Sequence, residues 1–308
     1  MSSITLTSTE QARLHSAKPS FIGLVGGELF KITRMLSTWV TFVLMLCFVA
    51  APNILLYLIQ APFTNDFKLG NDPKALAAFY RVLQIDFLML RVFIGFFLII
   101  LTANVIGREY QHGTIRILLA RGVGRLQLLL AKLSAVVLVA LLTLLVWLLV
   151  VTALMLLTPL VKAGNFNAMQ ALTSDFWHNI WLYVLTILVS MGATILMTAA
   201  FCAVGRSLAF GLTASALFFP IDNIGTVMMR VVYLITQNDF WKNVTAYFLG
   251  PNLNQMATAT ITTHNIDNVG ASPLVQVDST HTLLVALVYA LIFAAVAIVL
   301  TWRRDVKE

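Results

Sequence analysis

The sequence predicts an all-α integral membrane protein with six transmembrane helices. Three observations carry that reading. Hydrophobic residues make up 59% of the 308 residues and charged residues only 11%, against roughly 25% charged in a soluble domain. The apolar residues fall into separate runs, most of them near the ~20 residues that a bilayer core requires. The basic residues gather in the segments beside those runs. A chain this poor in polar side chains cannot cover a soluble surface of its size, and a net charge of +7 placed beside apolar spans does not point to nucleic acid.

Residues 1–20 read as a polar cytoplasmic tail with no apolar h-region, so no cleavable signal peptide is expected. Residues 21–308 read as a single transmembrane domain. Its first element, Phe21 to Ser37, carries Glu28, Lys31 and Arg34. It is too charged to span and is expected as an amphipathic helix on the membrane surface. The first span, 39–59, contains Pro52, which is expected to kink it. A polar loop over 60–83 follows, and then a second span over 85–106.

The third span is placed at 126–157, an outer loop at 158–178 and the fourth span at 181–204. Gly205-Arg206-Ser207 makes a short turn into the fifth span, 208–235. There Pro220, Asp222, Asn223 and Arg230 interrupt the apolar pattern. The fifth span is therefore expected to break near Pro220 and to re-enter or lie along the outer interface, giving a broken or re-entrant segment before span six. Residues 236–280 form the largest polar region, within which Tyr247 to Asn254 suggests a turn between short helices. The sixth span is 283–302.

Six spans put both termini on one side. With the 107–132 loop and the 205–207 turn, that side carries 13 of the 20 basic residues. The positive-inside rule makes it cytoplasmic, and the expected location is a plasma (inner) membrane crossed several times. Cys47 and Cys202 each lie within an apolar run, where they read as packing residues.

Two groups of residues are candidates for function. Asp86 and Arg91 lie in the second span, and Asp222 and Arg230 in or beside the fifth. Charge inside a membrane is costly and often marks a pathway or gate. The second group is Gly107 to Lys132, a polar stretch between two spans. Ile115, Leu118 and Leu119 fall at i, i+3, i+4 and predict an apolar helical stripe. Arg108, His112 and Arg116 make a polar one. Gly122 and Gly124 are expected to end that helix. Glu109, the only acid there, is placed to hold the loop through a salt bridge with Arg108, Arg116 or another nearby base.

This stretch resembles the loop between the second and third spans of ABC-2 type transporter permeases. The matching features are Glu109, Gly113-Thr114, Leu118-Leu119, the basic turn from Arg121 to Arg125, and Lys132. The family often has Pro and Ser in that turn, where this chain has Gly122 and Gly124. The surface helix before span one and the interrupted segment before span six resemble the family layout as well. The resemblance implies the transmembrane permease subunit of an ATP-driven exporter. Its cytoplasmic loop would be a coupling helix docking on a separate ATPase, with Arg116, Arg121 and Arg125 as candidate contacts.

No stretch of the sequence matches GxxxxGK[ST], so this chain carries no P-loop. ATP and Mg are expected in the partner ATPase, and no cofactor in this chain. A second copy of the chain, or a similar permease, is expected to complete the pathway among membrane lipids. No HExxH motif or recognisable paired-carboxylate motif argues for catalysis. Two other readings fit the composition: a secondary transporter or channel independent of ATP, and a membrane anchor for a cytoplasmic complex. The first usually shows internal repeats or several charges buried mid-span, and no repeat relates the two halves of this chain.

Overall fold

The computed structural model describes residues 20–59, 73–111, 113, 122–163, 166, 169–170, 172–261 and 271–303. Every regular element among them is helical. Among the described residues five helices are long and apolar enough to cross a membrane, or six where a bent pair at the N-terminal end counts as one span.

That pair is α1 (Phe21–Arg34) and α2 (Leu36–Ile59). Met35 between them is extended, and α1 turns away from the first part of α2 by 69°. α1 buries Glu28 and Ile32 while leaving Phe21, Ile22 and Phe30 exposed, the two-faced pattern of an interfacial helix. α2 runs on through Pro52.

α3 (Pro73–Thr102) passes through a π-helical turn, Ala103–Gly107, into α4 (Arg108–Gln111). The helix therefore begins ten residues before the end of the polar loop expected over 60–83. Proline suits the first helical position, where its missing N–H has no partner to lose. The early turns are held by packing: Phe79 and Tyr80 meet Phe176 edge-on at 6.1 and 5.1 Å, and the Asn179 amide donates to the Tyr80 hydroxyl at 2.8 Å.

α5 (Arg125–Ala163) has 39 residues, about 58 Å at 1.5 Å per residue, so it projects well beyond a ~30 Å hydrocarbon core. Trp147 is its buried anchor, 5.1 Å from the Phe87 ring.

The most enclosed span is α6 (Ser174–Gly205). Thr173 caps its N-terminus by accepting from the Phe176 N–H. Thr186, Ser190, Thr194 and Thr198 recur every fourth residue along a buried stripe. Thr194 and Thr198 satisfy their hydroxyls on the carbonyls one turn back, at 2.8 and 2.9 Å. Small residues with internally satisfied polar groups let neighbouring helices approach closely in lipid.

α6 ends at Arg206, whose φ of 49° lies in the left-handed region. Ser207 then caps α7 (Leu208–Thr236) by accepting from the Phe210 N–H at 3.0 Å. A side chain with a Cβ pays for that left-handed conformation. Arg206→Gly is therefore expected to raise stability by up to about 1 kcal/mol, seen as a higher unfolding temperature in detergent. A lower one would count against strain at this turn.

The fifth span corrects the expected break at Pro220. α7 is continuous through Pro220, Asp222, Asn223 and Arg230 to Thr236. Proline costs a helix one N–H bond, and a membrane helix tolerates this when neighbouring groups satisfy the backbone. The carbonyl that loses its donor is that of Ala216, one turn before Pro220; one turn further on, the Asn223 amide adds a bond to the Phe219 carbonyl at 2.7 Å.

The interruption before span six lies later, in two short helices, α8 (Phe240–Thr245) and α9 (Leu249–Thr260). The N-terminal half of α9 is buried. Asn252 ties it to α8 by donating to the Ala246 and Phe248 carbonyls, both at 2.7 Å. α10 (Ser279–Arg303) closes the fold against α6 and α9.

Candidate functional site

Two sites emerge, one at the root of the 107–132 loop and one between α3, α6, α7 and α9. The first is a four-charge cluster. Lys31 of α1 lies 2.7 Å from Glu28 and 2.5 Å from Glu109. Lys132 of α5 lies 3.0 Å from Glu28 and 2.7 Å from Glu109. The two acids and two bases balance, and each base bridges both acids. Glu28, Glu109 and Lys132 are buried, so each depends on the others for charge compensation. The Lys132 ammonium also donates to the Val105 carbonyl at 3.1 Å, inside the π turn. π turns break the regular ladder and recur at functional positions.

Lys31 is the most accessible member, with its side chain 44% exposed. Burial pulls its pKa down, but the Glu109 and Glu28 carboxylates outweigh that and hold it above the ordinary 10.5. It therefore stays charged at neutral pH. Its contribution to stability is complete below 10.5 and fades only as pH rises through the higher folded value.

The cluster joins three elements: the surface helix, the end of the second span and the start of the third. Glu109 pairs with Lys31 and Lys132 rather than with Arg108, which is exposed. Gly113 and Gly122 hold positive φ of 64° and 81°, as expected of glycines at sharp turns. Gly124, expected to share that role with Gly122, has an ordinary φ and stands just before α5. Arg125 donates to the Trp302 carbonyl at 3.4 Å, and the Tyr110 hydroxyl lies 3.3 Å from that of Thr301. Both ends of the loop thus also touch the last span. His112, Thr114, Arg116, Leu118, Leu119 and Arg121 lie outside the described residues, and the expected coupling helix with them.

The second site is a cavity of about 240 Å³ between α3, α6, α7 and α9. Arg91 lines it and donates to the Leu253 carbonyl and the Asn254 side-chain oxygen. The Asn254 amide donates to Asn223 of α7 at 2.9 Å and to the Ala271 carbonyl at 2.6 Å. Asp222 accepts the Gly250 N–H at 2.5 Å. Of the four residues considered for a pathway or gate, Arg91 and Asp222 converge on α9. Asp86 is buried outside the cavity lining, and Arg230 is exposed.

Sequence reasoning singled out neither Glu28 and Lys31 as partners of the loop nor Asn254 as the partner of Arg91. The first had a signal: Glu28 and Lys31 are an i, i+3 pair on the face that carries buried Ile32. Asn254 had none, because the contact joins residues 163 apart in the chain.

A family model described as ABC-2 family transporter protein matches residues 24–306. No curated protein and no solved structure is matched.

Proposed function

The chain belongs to the ABC-2 family of transporter proteins, and from that membership we propose that it is the permease subunit of an exporter driven by a separate P-loop ATPase. It is a multi-pass membrane protein and the transmembrane component of an ABC transporter rather than its ATPase. In this reading the membrane is the plasma (inner) membrane and both termini are cytoplasmic. Two such permeases, identical or similar, enclose the path, and ATP and Mg belong to two ATPase subunits.

The observation that carries the coupling is the cluster of Glu28, Lys31, Glu109 and Lys132. It ties both roots of the 107–132 loop to the surface helix. A push on the loop then reaches the second and third spans together, as a rigid-body shift requires. In this reading Thr114, Leu118 and Leu119 form the docking segment between the turns at Gly113 and Gly122. Arg116 and Arg121 meet acids on the ATPase. Arg125 serves the last span instead, through the Trp302 carbonyl, and Arg108 stays at the rim.

Affinity purification of the tagged chain in mild detergent tests this. A P-loop ATPase is expected to accompany the wild type. Arg116→Glu with Arg121→Glu is expected to lower its recovery at least tenfold while the permease still folds. Recovery of no ATPase with the wild type, or undiminished recovery with the double reversal, counts against the docking loop.

A further inference from the structure

We propose that the cavity beneath α9 binds an amphipathic anion, its headgroup on Arg91 and its apolar tail along α3 and α7. This rests on the permease reading and adds a substrate class to it.

Arg91 lies fifteen residues before Ile106, roughly 22 Å up the helix at 1.5 Å per residue, within a hydrocarbon core ~30 Å thick. A guanidinium at that depth needs compensation. The structure provides only neutral acceptors, the Leu253 carbonyl and the Asn254 side chain. Among the described residues no carboxylate forms an ion pair with Arg91, and Asp222 on the facing helix accepts the Gly250 N–H and is not one of the lining residues. A guanidinium has five N–H donors. Two are used, which leaves three on a cationic group that lines a cavity.

An anionic headgroup satisfies both the charge and the donors, since charge-assisted bonds to Arg are the strong ones. A cation would meet Arg91 as a like charge. A wholly apolar ligand would leave its donors unmet, at a cost for each.

The rest of the lining favours a tail. Val92, Phe96 and Phe219 are apolar. Val92 and Phe96 are 40% and 46% exposed, so part of the cavity wall on α3 lies at the surface of the chain. Its volume of about 240 Å³ falls a little below the roughly 300–1,000 Å³ of pockets that enclose a whole drug-sized ligand. That accommodates a headgroup and the first part of a chain, and the remainder leaves along the apolar surface.

The test is native mass spectrometry of the purified chain in dodecyl maltoside, titrated with dodecyl phosphate, dodecyltrimethylammonium and inorganic phosphate. Dodecyl phosphate is expected to bind one site per chain at least tenfold more tightly than the cationic probe. Inorganic phosphate at the same concentration should not displace it. Arg91→Gln should weaken binding at least tenfold.

Because Arg91 also holds α9, a second variant leaves its hydrogen bonds untouched. A Cβ on Gly95 would meet nothing within 4 Å, so Gly95→Leu extends into the cavity without a clash at its root. It is expected to abolish binding while the chain unfolds at the wild-type temperature. Equal affinity in wild type and Gly95→Leu overturns the site, and equal affinity for the cationic probe overturns its charge preference. Displacement by inorganic phosphate would assign the site to a small soluble anion and overturn the amphiphile. All these readings use the permease alone, so they fail or succeed independently of ATPase recovery.

Discussion

Lys132→Met is expected to destabilise the chain by about 3–5 kcal/mol, the cost of removing one partner from a buried ion pair. Lys132 is 2% exposed and bridges Glu28 and Glu109, which are 5% and 9% exposed. Without it, two buried carboxylates share Lys31 alone, and the Val105 carbonyl loses the donor it has inside the π turn. Glu109→Gln in the same chain should restore more than half of the loss, because Glu28 and Lys31 then balance one another. The two changes should therefore be strongly non-additive, as expected of residues in one network. The measurement is unfolding in detergent for the wild type, both single variants and the double. A Lys132→Met chain within about 1 kcal/mol of wild type would mean that these charges are solvated, contrary to the strong penalty expected of a buried pair.

The cluster's purpose follows from the same energetics. Replacing a whole buried ionic group with apolar residues of similar volume is often neutral or stabilising. Four charges at this place are thus a poor device for stability alone. What they supply is position: a charge satisfied only by partners from three elements fixes those elements relative to one another. On the proposed coupling, a loop that moves its spans as one body would benefit from such a joint.

The spans were legible in the sequence because lipid leaves few alternatives to an apolar helix. Legibility failed where a local signal competed with packing. Residues 73–83 read as part of a polar loop, yet Pro73 opens a helix that Phe79, Tyr80, Phe176 and Asn179 hold in place. Pro220 and its polar neighbours read as a break. The helix continues through them, with Asn223 and Asp222 finding partners on α7 and α9, and the interruption moves on to α8 and α9. At the loop, the motif pointed to Glu109 and Lys132, and the basic turn drew attention to arginines nearby in the chain. Lys31 lies within helical spacing of Glu28, but it is 78 residues from Glu109, and that second pairing is one that no spacing rule reaches. Arg91 was visible as an intramembrane charge, but its acceptors come from α9, brought there by the fold.

Gly107→Val is the second large effect. A Cβ at Gly107 would lie 2.8 Å from the Leu208 Cα, 3.1 Å from its nitrogen and 3.2 Å from the Ser207 carbonyl oxygen. Optimal carbon–carbon contact is about 3.5–4.0 Å, and all three obstacles are main chain. No rotamer change at Leu208 or Ser207 relieves them, so the second span must part from the turn between the fourth and fifth. That turn is itself tight: a Cβ on Gly205 would sit 2.2 Å from the Phe210 ring, and one on Gly211 2.2 Å from the Cys202 sulfur.

Overpacking commonly costs about 1–3 kcal/mol, and an immovable backbone puts Gly107→Val at about 3 kcal/mol or above, towards loss of the folded chain. Gly26→Ala is the control. Its Cβ meets nothing within 4 Å, and alanine improves a helix over glycine by up to about 1 kcal/mol, so it should unfold no earlier than the wild type. Comparable unfolding temperatures for the two variants would remove the backbone contact between the second and fifth spans. With that contact in place, Gly107 ends the π turn whose Val105 carbonyl is held by Lys132. One turn of helix then links the charge cluster on one side to the fourth and fifth spans on the other. On the proposed coupling, a displacement at the loop root would press on Leu208 through Gly107, and so on the helix that faces Arg91 and α9 across the cavity.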